Sequence, residues 1–465
     1  MKRNKPLALV AGAALLTLAA CGGGSSDDGD SGSGGKEREF GGQEGGTKDA
    51  ERQGPAAEVE GAAAGGTITV YLPGDPGPDT LDPTGGWSVT GNSIQQALTS
   101  RSLTQYIRDE EGQPVLVPDL ATDLGTPNDD FTEWTFTIRD DATWEDGQPV
   151  TAEEVAFGIC RSLDSEAFPS GPGTEYSKHY FEGAEDYEGP YTSKDPKCEK
   201  WDGVSVSGQD VTIKMAVPFP DMDYWGAFMA MGPAPLGNAS KPPNYGNKPL
   251  SNGPYKVDSY KPNEELVLVK NDQWAADSDP GRHQYADEFV FKFNQEQAKV
   301  DEIMLSDNSD SQTAVSTSLG SDKYNDANGQ LGDRLVQQTS QCVSMLTPDY
   351  NKINKKLNLR GVNWCSDWPA GSTMLPPLLK GGAVYNTAFF DEASINDEMD
   401  NINTLPLEEQ ADAWGALDEK IMTEYFPIIP TAFRNDLFVF GTKIGNPSGD
   451  GSIGAPNYKD LYVMQ

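Results

Sequence analysis

Trp134-Thr135-Phe136-Thr137-Ile138-Arg139 is followed by Trp144-Glu145-Asp146-Gly147 and then by Pro149-Val150-Thr151-Ala152-Glu153-Glu154-Val155. The first piece alternates apolar and polar residues, the period-two pattern of a half-buried strand. Asp146-Gly147 is a turn pair. Thr151 with Glu154 three residues later is a capping box, and Val155, Ile159 and Leu163 continue it as one apolar helix face. Strand, turn and helix in direct succession place the chain in the mixed α/β (α+β) class.

The same alternation of patterns extends outward. Upstream, Gly66-Thr67-Ile68-Thr69-Val70-Tyr71 reads as a strand, and Ile94, Leu98 and the 103–107 region suggest a helix over 92–107. Downstream, residues 166–201 are rich in Gly, Pro, Tyr and Lys and read as a loop-bearing insertion. Val204 and Val206 face Val211, Ile213, Met215 and Val217 across Ser207-Gly208-Gln209-Asp210, a hairpin. A second hairpin turns at Pro262-Asn263, and Phe289, Phe291 and Phe293 mark another strand. Pro406 opens a helix carrying Leu407, Ala411, Trp414, Leu417 and Ile421, and 426–430 ends it ahead of a strand at 437–440. No internal repeat is present.

Composition bounds the function. The 465 residues suffice for two or three domains, and 36% hydrophobic content with 9 Trp, 17 Tyr and 17 Phe excludes wholesale disorder. Lys and Arg number 35 against 72 Asp and Glu, a net charge of −37. That field repels polyanions, so nucleic acid is not a partner, and it favours neutral, zwitterionic or cationic solutes. Two histidines, His179 and His283, and no close His/Cys cluster argue against a metal site; no cofactor is expected.

The amino terminus reads as an address. Lys2, Arg3 and Lys5 precede an apolar run over 7–20, too short to span a bilayer and suited to a signal-peptide core. Leu18-Ala19-Ala20-Cys21-Gly22 resembles a bacterial lipoprotein signal, which implies cleavage after residue 20 and a lipid on Cys21. Loss of the three cations takes the net charge to −40. The stretch 21–66 carries fifteen Gly and a single aromatic, Phe40, so a flexible tether is expected. Its reach is roughly 35–40 Å. The remaining cysteines, Cys160, Cys198, Cys342 and Cys365, form an even set without Cys-x-x-Cys spacing, fitting an oxidising compartment. Sequence order suggests Cys160–Cys198 and Cys342–Cys365, one of three possible pairings.

Several stretches in order resemble the family 5 solute-binding proteins of bacterial ABC importers, the oligopeptide- and dipeptide-binding group. They are Pro118-Asp119-Leu120-Ala121-Thr122, the 134–155 region, Asn252-Gly253-Pro254-Tyr255 with Asn271-Asp272-Gln273-Trp274, Trp364-Cys365-Ser366-Asp367-Trp368, and Pro427 to Pro430. The resemblance implies a periplasmic-binding-protein-like clamshell with mixed sheets and an extra domain. The organisation it implies is a core lobe from 67–90, 203–340 and 432–465, an extra domain over 91–202 and a closing lobe over 341–431. One departure stands out. Family members carry a long segment between the strand at 335–346 and the one at Trp364, whereas here only 347–362 intervenes, so the closing lobe is expected to be shortened, by descent, by deletion or by an error in the gene's reading.

The resemblance also implies site residues. Asp367 matches the position that pairs with a ligand's amino end, and Cys365 matches a cysteine bridged to the strand at Cys342. Trp364 and Trp368 flank them, and strand alternation would place these two tryptophans, with Ser366, opposite Cys365 and Asp367. Trp87, Asn252, Tyr176 and Tyr180 are further ligand-binding candidates. The expected function is a lipid-anchored receptor, outside the cytoplasm, that delivers an oligopeptide or other small solute to a permease with ATPase subunits. It would act by lobe closure, without catalysis. The rival readings are a surface lipoprotein that keeps the scaffold but has lost the trap, and a carboxylate-dependent hydrolase. No nucleophile elbow, zinc-protease helix or phosphate loop supports an enzyme.

Overall fold

A computed structural model describes residues 47–465 apart from 353–357, 384 and 406. Its centre is an eight-stranded mixed sheet. In chain order the strands are β1 (Thr67–Pro73), β2 (Tyr255–Lys261), β3 (Glu265–Lys270), β4 (Glu288–Gln295), β5 (Ala314–Ser316), β6 (Leu335–Pro348), β7 (Leu359–Cys365) and β8 (Ile429–Phe440). Across the sheet the order is β7-β6-β8-β5-β1-β4-β3-β2. β1 runs parallel to both β4 and β5, and every other pairing is antiparallel. The alternation of Phe289, Phe291 and Phe293 puts all three rings into one core with Ile68, Val70, Leu266 and Leu268. Asn263 takes a positive φ of 64° at the expected hairpin turn between β2 and β3.

A second core belongs to the extra domain. The strand Glu133–Thr137 carries Trp134 and Phe136 inward and pairs with Asp210–Lys214, which pairs with Val204–Ser207. The helix Ala152–Arg161 begins where the sequence places it. Thr151 Oγ1 accepts from the Glu154 amide at 3.2 Å, and Glu154 Oε2 accepts from the Thr151 amide at 3.1 Å. Its Gly158 is required by packing, because a Cβ there would lie 1.9 Å from the Gly232 carbonyl.

A third core lies within the stretch expected as the closing lobe. Val343, Met345 and Trp364 from β6 and β7 pack with Leu378, Phe390, Ile395, Met399, Trp414, Leu417 and Ile428. The short link noted in the sequence is a hairpin, with β6 and β7 in continuous register from Cys342 opposite Cys365 to Pro348 opposite Leu359.

Three expectations need correction. The helix over 92–107 stops early: helical turns cover Val89–Ile94 and Gln95–Thr99, and Thr104–Arg108 is a strand paired with Pro114–Pro118. Arg101, 1% exposed, ends the helix because its guanidinium is held by Asp119 at 2.6 Å and Ser278 at 2.9 Å. The boundary at 202/203 is crossed, since the 204–214 hairpin completes the extra domain's sheet, while Ile94, Ala97 and Leu98 pack on the core lobe. Residues 47–66, read as tether, lie along the body instead. Thr47–Lys48 pairs in parallel with Val115–Leu116, Lys48 meets Asp223 at 2.6 Å, and Gln53 donates to the Thr122 carbonyl at 3.0 Å. Low apolar content did not leave this stretch loose, because its contacts are polar and backbone-mediated. Cys21 and residues 22–46 lie outside the described residues.

Two disulfides, Cys160–Cys198 and Cys342–Cys365, are present. Among the described residues no helix is long and apolar enough to cross a membrane.

Candidate functional site

β6 is long because it serves two cores. Val336, with Phe438 and Phe440 of β8, packs with the core lobe, whereas Val343 and Met345 pack in the third core with Ile428, the residue before β8. The crossing point is marked by a register jump, from Thr339 opposite Asn435 to Val343 opposite Phe433. The extra residues on β6 bulge there, and bulges re-aim neighbouring side chains. Gln341 and Cys342 are thereby turned to one wall of a cavity of ≈ 230 Å³. Asn363, Trp364, Cys365, Ser366 and Asp367 extend that wall. Trp87, Val89, Asn92 and Gln96 supply the core-lobe side, Tyr106 and Phe228 the extra-domain side, and Gly451-Ser452-Ile453-Gly454 one rim.

The cavity's carboxylate is Asp367. Trp87 Nε1 donates to its Oδ1 at 2.9 Å, and the Tyr176 hydroxyl donates to its Oδ2. Both donors are neutral, and among the described residues no Lys, Arg or His forms an ion pair with it. Burial pushes the Asp367 carboxyl up to about 6, against the pull of the Tyr176 and Trp87 hydrogen bonds. Glu175, next to Tyr176, is pushed up to about 7 by burial and by the charge of Asp367, with Lys380 pulling the other way. Asp367 thus offers the cavity one shielded carboxylate, suited to a cationic group, while Glu175 lines the separate cleft.

Aromatic rings hold this geometry. Trp87 meets Tyr176, Trp364 and Tyr385 edge-on at centroid distances of 5.8, 6.0 and 5.3 Å. Trp87 is itself carried by the 82–87 turn, which is fixed to the extra domain. Arg161 grips both oxygens of Asp82, at 3.1 and 2.7 Å, with Thr84 at 2.6 Å.

The model for bacterial extracellular solute-binding proteins, family 5 Middle, matches residues 115–383, more than half of the chain. The chain belongs to family 5 of the bacterial extracellular solute-binding proteins. It is 30% identical over 195 residues to the oligopeptide-binding protein OppA of Bacillus subtilis (strain 168), covering 40% of this chain and 32% of that protein. It is 24% identical over 231 residues to the dipeptide-binding protein DppE of the same organism, covering 48% and 39% respectively. The matches thus span between about a third and two fifths of these relatives' length. In fold, it is similar to clavulanic acid biosynthesis oligopeptide binding protein 2 (TM-score 0.74, 17% identity, 90% of this chain and 99% of that one). It is also similar to the Escherichia coli murein tripeptide binding protein MppA (TM-score 0.70, 15% identity, 87% and 100%). The mixed α/β architecture is therefore that of the periplasmic-binding-protein-like clamshells.

Within this family 5 protein the expected site residues divide. Asp367, Trp364 and Trp87 line the cavity, and Tyr176, 2% exposed, reaches Asp367 from the extra-domain core. Trp368 does not join them. It is 1% exposed, packs on Tyr176 and Phe228, and donates to Asp221 at 3.0 Å, plugging the closing segment into the extra domain. Alternation also fails here, because β7 ends at Cys365 and the chain turns, so Trp364, Cys365, Ser366 and Asp367 all border the cavity. Asn252 accepts from the Arg101 amide at 2.8 Å and sits away from the cavity. Tyr180 stacks on Phe219 at 3.8 Å and faces a separate cleft of ≈ 550 Å³ with His179 and Lys380.

Tyr385, Gln341 and the 451–454 loop line the cavity without being expected from the sequence, and Glu175, on the separate cleft, is equally unexpected. Gly451 to Gly454 carried a readable turn composition, whereas Glu175 was one of 72 acids with nothing local to single it out. Among the described residues no group of three or more His, Cys, Asp or Glu side chains is arranged to hold a metal ion.

Proposed function

We propose that this protein is an extracytoplasmic receptor, anchored by a lipid on Cys21, that captures short peptides between its lobes and delivers them to a permease driven by separate ATPase subunits. One observation carries the reading: Asp367 is a shielded carboxylate facing a cavity, its donors among the described residues are neutral, and it is a ready partner for a ligand's ammonium. An ammonium arriving there gains a charge-assisted hydrogen bond in a medium far less polar than water. Relatives named for oligopeptides and dipeptides support the same ligand class.

Cavity size narrows the class. At ≈ 230 Å³ it lies below the about 300–1,000 Å³ usual for drug-sized ligands, which favours a di- or tripeptide of modest side chains over a long chain. Closure is the mechanism: β6 and β8 join the two lobes at the bulge, and a ligand bridging Asp367 and the core-lobe wall favours the closed form by its contacts to both.

Calorimetry with di- to pentapeptides tests the reading. Free-amine peptides should bind and N-acetylated versions should lose at least tenfold, about 1.4 kcal/mol. A scaffold without a trap gives no heat and no thermal shift with either set, although a true ligand at 100 times its dissociation constant adds about 2.7 kcal/mol of stability. A hydrolase would release new amine ends, which binding alone does not.

A further inference from the structure

A second, smaller cavity runs against the charge of the whole chain. It measures ≈ 80 Å³ and is lined by Arg52, Arg108 and Lys459, with His283, Asp450 and Asp460 beside them. In a molecule of net charge −37 such a convergence of cations is locally anomalous. A space of this size suits a small oxyanion better than a peptide.

The cations have unused donors. Lys459 is 6% exposed and its ammonium donates to the Tyr106 carbonyl at 2.5 Å, leaving two of three hydrogens without a protein partner among the described residues. Arg52 Nε is buried with no hydrogen-bond partner there. Among the described residues Arg108 reaches only the Gly112 carbonyl, at 3.5 Å. None of the three forms an ion pair with a carboxylate among the described residues.

The neighbouring acids are otherwise engaged. Asp460 accepts from His283 Nδ1 at 2.8 Å and from Asn457 at 2.7 Å, and Asp450 accepts from the Ser452 amide at 3.0 Å. The other His283 nitrogen faces the Ala57 carbonyl at 3.0 Å. Burying an ammonium with a single acceptor and a guanidinium nitrogen with none among the described residues is costly, and one anion would serve both.

We propose that this pocket binds a single phosphate-type oxyanion, free or on a lipid headgroup, held by Arg52, Arg108 and Lys459. Its position gives the anion a mechanical effect. Arg52 lies on the segment that leads from the amino terminus onto the body, so the anion draws that segment against Arg108 and Lys459. Tyr106 borders both this pocket and the ligand cavity, so occupancy here also stiffens one wall of the larger site.

The test uses the full chain in phosphate- and sulfate-free buffer. Inorganic phosphate is titrated and followed by its phosphorus NMR linewidth, and co-sedimentation with phosphatidylglycerol vesicles forms the second arm. The expected result is binding in at least one arm, with a dissociation constant of about 1 mM or tighter for free phosphate. The R52Q/R108Q variant, and separately K459M, should lose at least tenfold while keeping the parent's circular dichroism. Vesicle binding lost in the variants, with weak binding of free phosphate, assigns the lipid headgroup. Binding that is absent from both arms, or equal in parent and both variants, overturns the proposal.

Discussion

Trp87 and Asp367 stand 280 positions apart in the chain and are joined by a 2.9 Å hydrogen bond from indole to carboxylate. The bond links the turn leaving β1 to the segment leaving β7, so it spans the two walls of the cavity. A ligand ammonium entering beside it meets a carboxylate already aimed and partly stabilised by neutral donors. Asp367→Asn keeps the shape and removes the charge. It should weaken free-amine peptides at least tenfold, about 1.4 kcal/mol, in calorimetry. Trp87→Phe keeps the charge and deletes one donor, worth about 1 kcal/mol, so a smaller loss is expected. Equal affinities for parent and Asp367→Asn would remove Asp367 from the site.

The two disulfides should differ in consequence. Cys342 and Cys365 lie directly opposite each other on β6 and β7, whose backbone hydrogen bonds already hold the hairpin. Cys160–Cys198 instead closes a 38-residue separation over a segment with few regular elements. Replacing the second pair by Ala should therefore cost the more, about 2–5 kcal/mol by denaturant titration. Replacing the first should cost less stability yet weaken peptide binding, because Cys342 and Cys365 line the cavity. The reverse ranking would show that the hairpin depends on its covalent link.

Legibility in the sequence followed the range of the interaction. The capping box at Thr151 and Glu154 and the Phe289–Phe291–Phe293 alternation are encoded within a few residues, and both appear as read. The strand at Thr104–Arg108 is not legible locally, because what ends the helix is Arg101, whose partners Asp119 and Ser278 are distant in sequence. The 204–214 hairpin was legible as a hairpin, but its assignment to the extra domain depends on pairing with Glu133–Thr137, which no local pattern encodes. At the site, Asp367 came from resemblance, since a lone Asp before Trp368-Pro369 has no pattern of its own. Trp364 and Trp368 looked alike in sequence and separate only in space, one at the cavity and one 1% exposed beneath it.

Arg161 and Asp82 form a buried bidentate pair that anchors the turn carrying Trp87. The guanidinium is also satisfied by Tyr191 at 2.8 Å and the Ser240 carbonyl at 2.6 Å, so no donor is wasted. Arg161→Met leaves the Asp82 carboxylate buried and unpaired, and a loss of about 3–5 kcal/mol is expected in urea unfolding. Adding Asp82→Leu removes the orphaned charge and should recover part of that loss. A double variant no more stable than the single one would mean that packing, rather than the stranded charge, sets the cost.

Stability and ligand affinity should move in opposite directions with pH. Burial raises Asp367 to about 6, and burial with the Asp367 charge raises Glu175 to about 7, both above ordinary carboxyls near pH 4. The folded chain therefore holds more protons than the unfolded one in this window, and the unfolding free energy contributed by these groups falls as pH rises from about 4 to about 7. A cationic ligand needs the ionised form, so peptide affinity should instead climb through pH 6 and level off above it. Parallel thermal and calorimetric titrations read the two slopes. In Asp367→Asn the affinity slope should flatten, and an unchanged slope would assign the titration to another group.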